Sequence, residues 1–331
     1  MASGVSYCLG AVIYRFDSKL RYAHFVWNLF VRGGSACLFW ARRCRGPATI
    51  APHCHFPGPT MHTWHSRYWS DHTSEQFTRL PREQLIAVLP VGAVEQHGPH
   101  MPICTDHATI DGVVAATVPK LPDELPVLFL PTLAYGKSNE HSRYPGTITL
   151  SAATLMQMWM EIGASVARAG VRKFMLFNAH GGQMNAMDIV IRDLREKHGL
   201  MAVSAHWYML GLPPGLFSEH ELKHGIHAGD LETSVMLALK PQTVHMDKAK
   251  AFGSLTETLA EQNRFLSITP SGKLGWQTQD LNPEGACGDA TRATADKGRA
   301  VLDHVSDRFV ELLHEVHRFD LARLGNEPAW K

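Results

Sequence analysis

Short apolar runs alternate with stretches of helical periodicity from about residue 80 onward, and this alternation constrains the fold more than any other feature of the sequence. Because parallel strands need crossover connections, such alternation predicts a mostly parallel sheet with helices on both faces, an α/β fold. The strands that we predict span residues 85–91, 126–130, 172–177 and 201–205. The helices that we predict span residues 105–118, 151–169, 184–197, 233–239 and 293–319.

The first 60 residues follow a different pattern. They contain seven Lys and Arg residues but one acid, Asp17, and they end in the proline-rich stretch 52–59. An Arg-rich, acid-poor segment can be an organelle transit peptide, but we favour an unstructured extension, with Met61 as the true start. We therefore divide the chain into a basic N-terminal extension, residues 1–60, that is disordered or not in the mature protein, and a domain of residues 61–331.

Charge and cysteine content narrow the classes of partner. The chain of 331 residues has 32 Lys and Arg against 31 Asp and Glu, so its net charge of +1 gives no electrostatic reason to expect a nucleic acid. Arg32, Gly33 and Gly34 interrupt the best candidate for a membrane helix. Six cysteines without a C-x-x-C pair or a plausible signal peptide fit reduced thiols. We therefore expect a cytoplasmic protein that binds neither membranes nor nucleic acids.

Histidine is unusually frequent, with 20 residues, and several histidines stand beside acids directly after predicted strands. Glu95 and His97 follow the first strand, and because they are two residues apart their side chains point to the same side of an extended segment. Asp106 follows after a turn that Gly98 and Pro99 permit. Two carboxylates and an imidazole suit a divalent ion such as Zn²⁺, Mn²⁺ or Fe²⁺.

Two further loops carry similar side chains. His180 follows the third strand and precedes two glycines, which let the backbone approach a ligand closely. His227 and Glu232 lie in a later segment, with Glu232 in the first turn of a helix if that helix begins near Asp230. Each side chain alone would more often be an ordinary polar residue, and Asp230 suits a helix dipole better than a metal. Three such loops at the expected carboxyl edge of one sheet favour a shared metal site.

A second pattern competes with this interpretation. His220, Glu221 and His224 match H-E-x-x-H, which places two zinc-binding histidines on one helical face with a glutamate base between them. The pattern needs a stable helix, whereas two prolines and a glycine at 213–215 lie just upstream and Gly225 follows at once. A zincin-type protease is therefore the less favoured alternative.

Four blocks of sequence stand out in order along the chain. They are L-P-V-G-A-V-E-Q-H-G-P-H-M-P at 89–102, Y-P-G-T-I-T-L at 144–150, N-A-H-G-G-Q at 178–183 and H-A-G-D-L-E-T-S at 227–234. With these blocks the chain resembles the creatininase (creatinine amidohydrolase) family over about residues 85–300. The resemblance implies a three-layer α/β/α sandwich, two divalent metal ions, hydrolysis of C–N bonds other than peptide bonds, and a homohexamer.

The resemblance also implies site residues. The metal ligands that it implies are Glu95, His97, Asp106, His180 and Glu232. Glu95 and His180 would bind one ion, and His97 would bind the other. Asp106 would bridge the two ions, and Glu232 would be a further ligand. His227 matches a histidine suited to proton transfer. The residues that match the loop bordering the substrate are Tyr144, Pro145 and Gly146.

Two positions depart from the family pattern. Creatininase has a metal-binding glutamate two residues after the histidine that matches His180, and this chain has Gly182 there. That glycine is typical of the H-G-G-N branch of deformylases and peptidases, although Gln183 replaces the asparagine. The departures argue against creatinine as the substrate. We therefore expect a metal-dependent hydrolase of a small-molecule amide, lactam or formamide that uses a hydroxide held by two ions (Zn, Mn or Fe(II)).

A non-catalytic alternative needs the same ligands. A metal-bound oligomeric protein could bind a partner or ligand without hydrolysing it. The sequence argues against this alternative, because Gly182 is the only ligand position at which an inert residue stands.

Overall fold

The computed structural model describes residues 64–268, 271–325 and 327–330. The predictions for residues 1–60 lie outside these ranges, so the division of the chain at about residue 60 stays a prediction. No helix within the described ranges is both long and apolar enough to cross a bilayer.

A parallel sheet of four strands forms the middle layer. The strands are β1 (Ile86–Val91), β2 (Val127–Phe129), β3 (Lys173–Asn178) and β4 (Met201–His206), in the spatial order β2-β1-β3-β4. β1 and β3 pair over their whole length, from Ile86 beside Lys173 to Val91 beside Asn178. The loops that follow these two strands therefore leave the same edge of the sheet side by side.

Nine α-helices and a small antiparallel pair of strands complete the described part of the chain. The helices are α1 (Ser74–Arg79), α2 (Thr105–Thr117), α3 (Ala152–Arg168), α4 (Met184–His198), α5 (Glu219–His224), α6 (Asp230–Leu239), α7 (Leu255–Gln262), α8 (Thr278–Leu281) and α9 (Ala295–Arg318). The antiparallel pair is β5 (Ala251–Phe252) with β6 (Gly288–Asp289).

Successive side chains of a strand point to opposite faces of the sheet, and those of β1 and β3 are buried on both faces. Helices therefore cover each face. On one face Leu89 and Leu176 pack with Trp159 of α3 and Val190 of α4. On the other face Val88 and Phe177 pack with residues of α2, α6 and α9, and the ring of Phe177 stacks on Phe309 with centroids 3.8 Å apart. The predicted three-layer α/β/α sandwich with a mostly parallel sheet is confirmed.

The predicted element boundaries agree with the structure to within about three residues. Ser151 caps α3 by accepting a hydrogen bond from the backbone N–H of Thr154 at 3.2 Å, and Gly170, with φ of +91°, follows the helix end. The largest difference is at α6, which begins at Asp230 rather than at residue 233. Glu232 therefore lies in the first turn of this helix, at the edge of the sheet where β1 and β3 end.

Candidate metal centre

The structure brings the five predicted metal ligands together beyond the carboxyl ends of β1 and β3. Glu95 and His97 follow β1, Asp106 lies in the first turn of α2, His180 follows β3 and Glu232 lies in the first turn of α6. The first four side chains are buried, and Glu232 is 20% exposed. Residues far apart in the sequence thus share one polar pocket in an otherwise apolar interior.

Ligand atoms of these residues form overlapping groups in which every atom lies within 4.8 Å of the others. The groups are Glu95, Asp106 and His180; His97, Asp106 and Glu232; and Glu95, His97 and His227. Asp106 belongs to the first two groups. The arrangement could therefore hold two ions with the Asp106 carboxylate between them.

The ring of His97 is held in the tautomer that leaves a lone pair for a metal. Its Nδ1 lies 3.1 Å from the backbone oxygen of Glu95, which can only accept a hydrogen bond, so Nδ1 donates. Its Nε2 is left facing Asp106 Oδ1 at 3.3 Å and Glu232 Oε2 at 3.8 Å. A metal-binding histidine commonly shows this pattern, with the other ring nitrogen donating to a carbonyl.

The ring of His180 is held in a similar way, but here Nε2 donates to a backbone carbonyl and Nδ1 faces the carboxylates. Nε2 donates to the backbone oxygen of Lys137 at 2.8 Å. Nδ1 faces Glu95 Oε2 and Asp106 Oδ2, each at 3.2 Å. One oxygen of the Asp106 carboxylate thus faces His97, and the other faces His180.

The residues fit a divalent cation. Glu95 Oε2, His97 Nε2 and Asp106 Oδ2 are buried and have no hydrogen-bond partner of acceptable geometry among the described residues. Bare lone pairs that face one another in a dry pocket repel, and a cation between them removes the repulsion. Imidazole and carboxylate ligands suit Zn²⁺, Mn²⁺ and Fe²⁺.

Without a bound metal ion, protons on the pocket histidines offset the negative charge of the buried carboxylates. Burial disfavours charge on His97, but Asp106 and then Glu232 outweigh burial and raise the pKa of His97 to about 9. Glu95 and Asp106 likewise hold the pKa of His180 well above its ordinary value against the effect of burial. Burial raises the pKa of Glu232 to about 7. The pocket therefore attracts positive charge, either as protons or as metal ions.

His227, the predicted proton-transfer residue, stands beside the ligands. Its Nε2 lies 2.8 Å from the backbone oxygen of Gln96, so Nε2 carries the proton. Its Nδ1 faces Glu95 Oε1 at 4.0 Å, and its ring centroid lies 4.2 Å from that of His97. Burial, followed by the charge of His97, lowers the pKa of His227 well below its ordinary value. His227 thus presents an unprotonated Nδ1 to the pocket.

The loop around His227 is held in a restricted conformation. Ala228 has φ of +58°, a left-handed conformation that is unfavourable for residues other than glycine, and it is fully buried. Its backbone N–H donates to Glu232 Oε2 at 2.6 Å. This hydrogen bond orients the Glu232 carboxylate towards His97.

Sequence reasoning missed His141. Its Nε2 lies 3.3 Å from Glu95 Oε1, and its Nδ1 accepts from the side-chain amide of Gln96 at 2.7 Å. His141 therefore carries its proton on Nε2, which faces the Glu95 carboxylate. The adjacent acid and histidine at 140–141, just before the Y-P-G-T-I-T-L block, were the available signal.

The predicted substrate loop lies near the loop that carries Glu95 and His97, but its own contacts are with other segments. Gln96 donates its backbone N–H to Thr147 Oγ1 at 3.1 Å, which fixes the loop beside the pocket. The Tyr144 hydroxyl, however, contacts the backbone oxygen of Pro283 at 3.2 Å, and Pro145 and Gly146 are exposed. Substrate contact by Tyr144, Pro145 and Gly146 stays a prediction.

The unusual Gln183 points away from the ligands. Its side-chain amide donates to Asn178 Oδ1 at 2.8 Å and to the backbone oxygen of Gly92 at 3.3 Å. Asn178 in turn accepts from the His180 backbone N–H at 2.9 Å. Gln183 and Asn178 thus shape the turn that presents His180.

The H-E-x-x-H segment forms helix α5, capped by Ser218, but it is only six residues long. The Glu221 carboxylate is buried and accepts from the backbone N–H groups of Asp230 at 2.7 Å and Asp289 at 2.9 Å. A Cβ on any of three surrounding glycines would collide with this carboxylate: Gly225, Gly229 and Gly288.

The two histidines of α5 have ordinary partners. His224 Nδ1 lies 2.9 Å from Thr256 Oγ1, and the exposed His220 pairs with Glu257 at 3.4 Å. Neither histidine joins any potential metal-binding group found within the described ranges. This geometry does not support a zincin site.

Comparison with known proteins identifies the family. The family model for creatininase, described as creatinine amidohydrolase, matches residues 70–313. The mycofactocin precursor peptide peptidase of Mycobacterium ulcerans (strain Agy99) is 32% identical over 235 residues, covering 70% of this chain and 85% of that protein. The creatinine amidohydrolase of Pseudomonas putida is 31% identical over 193 residues, covering 53% of this chain and 72% of that protein.

A solved structure supports the same assignment. A candidate creatinine amidohydrolase from Bacteroides fragilis NCTC 9343 superposes with a TM-score of 0.63 at 25% identity, covering 76% of this chain and 96% of that chain. The predicted resemblance, including the greater similarity to the peptidase branch, is confirmed. The chain therefore belongs to the creatininase family and is a hydrolase that acts on C–N bonds.

Proposed function

We propose that this hydrolase cleaves an amide-type C–N bond with the help of two divalent metal ions. One observation carries the proposal: the Asp106 carboxylate faces Nε2 of His97 with one oxygen and Nδ1 of His180 with the other. In the proposed arrangement Glu95 and His180 would hold one ion, and His97 and Glu232 would hold the other. Asp106 would serve as a ligand to both.

When bound, the ions supply a Lewis acid for the amide carbonyl and lower the pKa of a water towards neutrality. The protein positions the proton carrier. Because Nε2 of His227 is fixed on the Gln96 carbonyl, Nδ1 is free to take a proton from the attacking water. The same Nδ1–H then donates that proton to the leaving nitrogen, so amide and water yield an acid and an amine.

His141 and Ala228 keep the carboxylates in place during this reaction. His141 Nε2–H faces Glu95 Oε1 at 3.3 Å, and the Ala228 N–H donates to Glu232. Buried donors of this kind reduce the freedom of the ligands to reorient. We propose that these two contacts position the ligands without touching the substrate.

The proposed substrate is a small amide, cyclic or linear, a lactam, a formamide, or the amide of a short peptide. Two relatives support this range, because one is named as a peptidase of a precursor peptide and the other as a creatinine amidohydrolase. The proposed ions are Zn²⁺, Mn²⁺ or Fe²⁺, since the ligands are imidazole nitrogens and carboxylate oxygens. A cytoplasmic homohexamer is the proposed state of the protein.

The test combines elemental analysis of the purified protein with a hydrolysis screen over lactams, formamides and short peptides. We expect about two divalent ions per chain and turnover of at least one class. In Glu95→Gln we expect bound metal to fall by about half or more and turnover to fall at least about a hundredfold, because one ligand charge is lost. Bound metal without hydrolysis across the panel would favour a metal-bound binding protein. Full turnover of a metal-depleted Glu95→Gln variant would exclude the proposed mechanism.

A further inference from the structure

Gly182 lies two residues after His180, and there is no room for a side chain at this position. A Cβ on Gly182 would overlap Oε1 of Glu140 and would lie 2.7 Å from His180 Nε2. The Glu140 side chain therefore fills the volume that a residue 182 side chain would enter. These two residues come from different loops, one before α3 and one directly after β3.

Glu140 is buried, with 7% of its surface exposed. Its Oε1 lies 3.6 Å from His180 Nε2, which is too long for a hydrogen bond but close enough for a strong charge effect. Its backbone oxygen accepts from the Thr278 hydroxyl at 3.0 Å, which fixes the loop. Lys137 Nζ lies 4.0 Å from the other carboxylate oxygen and is partly exposed.

The carboxylate stands on the side of the His180 ring opposite to the metal pocket. Nε2–H donates to the Lys137 carbonyl, while Nδ1 faces Glu95 and Asp106. A negative charge beside Nε2–H stabilises the proton there and makes Nδ1 a better electron donor. Both effects favour metal binding at Nδ1.

We propose that Glu140 is a positioning residue for His180, and that it supplies from the 139–141 loop the carboxylate for which Gly182 leaves room. The inference rests on the proposed function, because it assumes that His180 Nδ1 binds an ion. Glu140 does not itself bind the ion in this arrangement. It acts through His180, on the affinity of the ion that His180 shares with Glu95.

The test measures metal affinity, by competition of a chromogenic chelator with Zn²⁺ or Mn²⁺, on the full chain. Glu140→Gln keeps the shape of the side chain and removes its charge. We expect the affinity for the ion that His180 shares with Glu95 to fall about 10- to 100-fold, the range typical of partners behind a metal-binding histidine. The melting temperature of the metal-free protein should change little. Glu75→Gln removes one exposed, remote carboxylate and should leave affinity unchanged.

A paired change separates the shared volume from the charge. Glu140→Gly should bind the ion as weakly as Glu140→Gln, and Glu140→Gly with Gly182→Ala should remain as weak, because a side chain returns to this space without a carboxylate. Gly182→Ala alone should lower the yield of folded protein, since two side chains compete for one volume.

Wild-type affinity in Glu140→Gln, or in the double variant, would overturn the inference. The proposed function fails differently: the wild-type protein would then bind no metal or hydrolyse no amide.

Discussion

The metal pocket and helix α5 are both rich in histidine and glutamate, yet their side chains are used in opposite ways. In the pocket, carboxylate oxygens and imidazole nitrogens from separate loops face one another at 3.2 to 3.3 Å, where either a proton or a metal ion can lie. In α5, the Glu221 carboxylate is satisfied by two backbone N–H groups. Histidine nitrogens and carboxylate oxygens that meet from several loops therefore indicate a metal site better than a motif within one helix.

Helix α5 nevertheless supports the pocket from a distance. Glu221 binds the backbone N–H of Asp230, the first residue of α6, and the N–H of Asp289 in β6. Because α6 carries Glu232, the glutamate of the H-E-x-x-H pattern helps to place a predicted metal ligand. Its function is structural, whereas the pocket glutamates are the proposed metal ligands.

Among variants of the metal pocket and of helix α5, we expect Asp106→Asn to cause the largest loss of bound metal and activity. The amide cannot supply two anionic oxygens, so both ions lose a shared ligand. We expect metal content to fall to near zero and kcat/KM to fall about a thousandfold or more, measured by elemental analysis and steady-state kinetics. A chelator should lower the Tm of the wild-type protein and leave that of the variant unchanged. Retained metal together with retained activity would remove Asp106 from the centre.

Glu221→Ala should affect stability instead. Two buried N–H groups would lose their acceptor, at a cost of about 2–4 kcal/mol in the free energy of unfolding of the metal-free protein, measured by urea titration. The folded variant should bind as many ions as the wild-type protein. Loss of metal at unchanged stability would contradict this view and make α5 part of the metal centre.

His224→Ala should have the smallest effect. It removes one hydrogen bond, to Thr256, which contributes about 1 kcal/mol to stability. We expect metal content and turnover to stay within about twofold of wild type, assayed side by side with Glu221→Ala. A zincin would lose all activity, so an inactive but folded His224→Ala would revive that alternative.

The sequence alone predicted the parts of the fold that depend on local patterns. The runs at 85–91 and 174–177 are continuously apolar because β1 and β3 are buried on both faces, and the ligand loops follow directly at the strand ends. A site at the carboxyl edge then follows from the parallel arrangement. The positions of Glu95 and His180 therefore needed no knowledge of distant contacts.

The contributions of Glu140 and His141 could not be predicted in the same way. They lie in a single turn of 3₁₀ helix, residues 139–141, which is too short to show a periodic pattern in the sequence. The chain reaches the pocket there because Leu133 pairs with Val91 and Ile148 pairs with Val94, and these are contacts between distant segments. The Gly182 departure was visible in the sequence, but the side chain that fills its space was visible only in three dimensions.

The full-length pairing of β1 with β3 has a consequence for how such an enzyme can change. The paired strands hold the loops of Glu95, His97 and His180 side by side, whereas Tyr144, Pro145 and Gly146 lie outside the sheet. Under the proposed function, a change of substrate therefore needs changes at residues 144–146 and can leave the metal ligands, Glu140 and His141 in place. Relatives named as a creatinine amidohydrolase and as a precursor peptide peptidase fit such a division within one family.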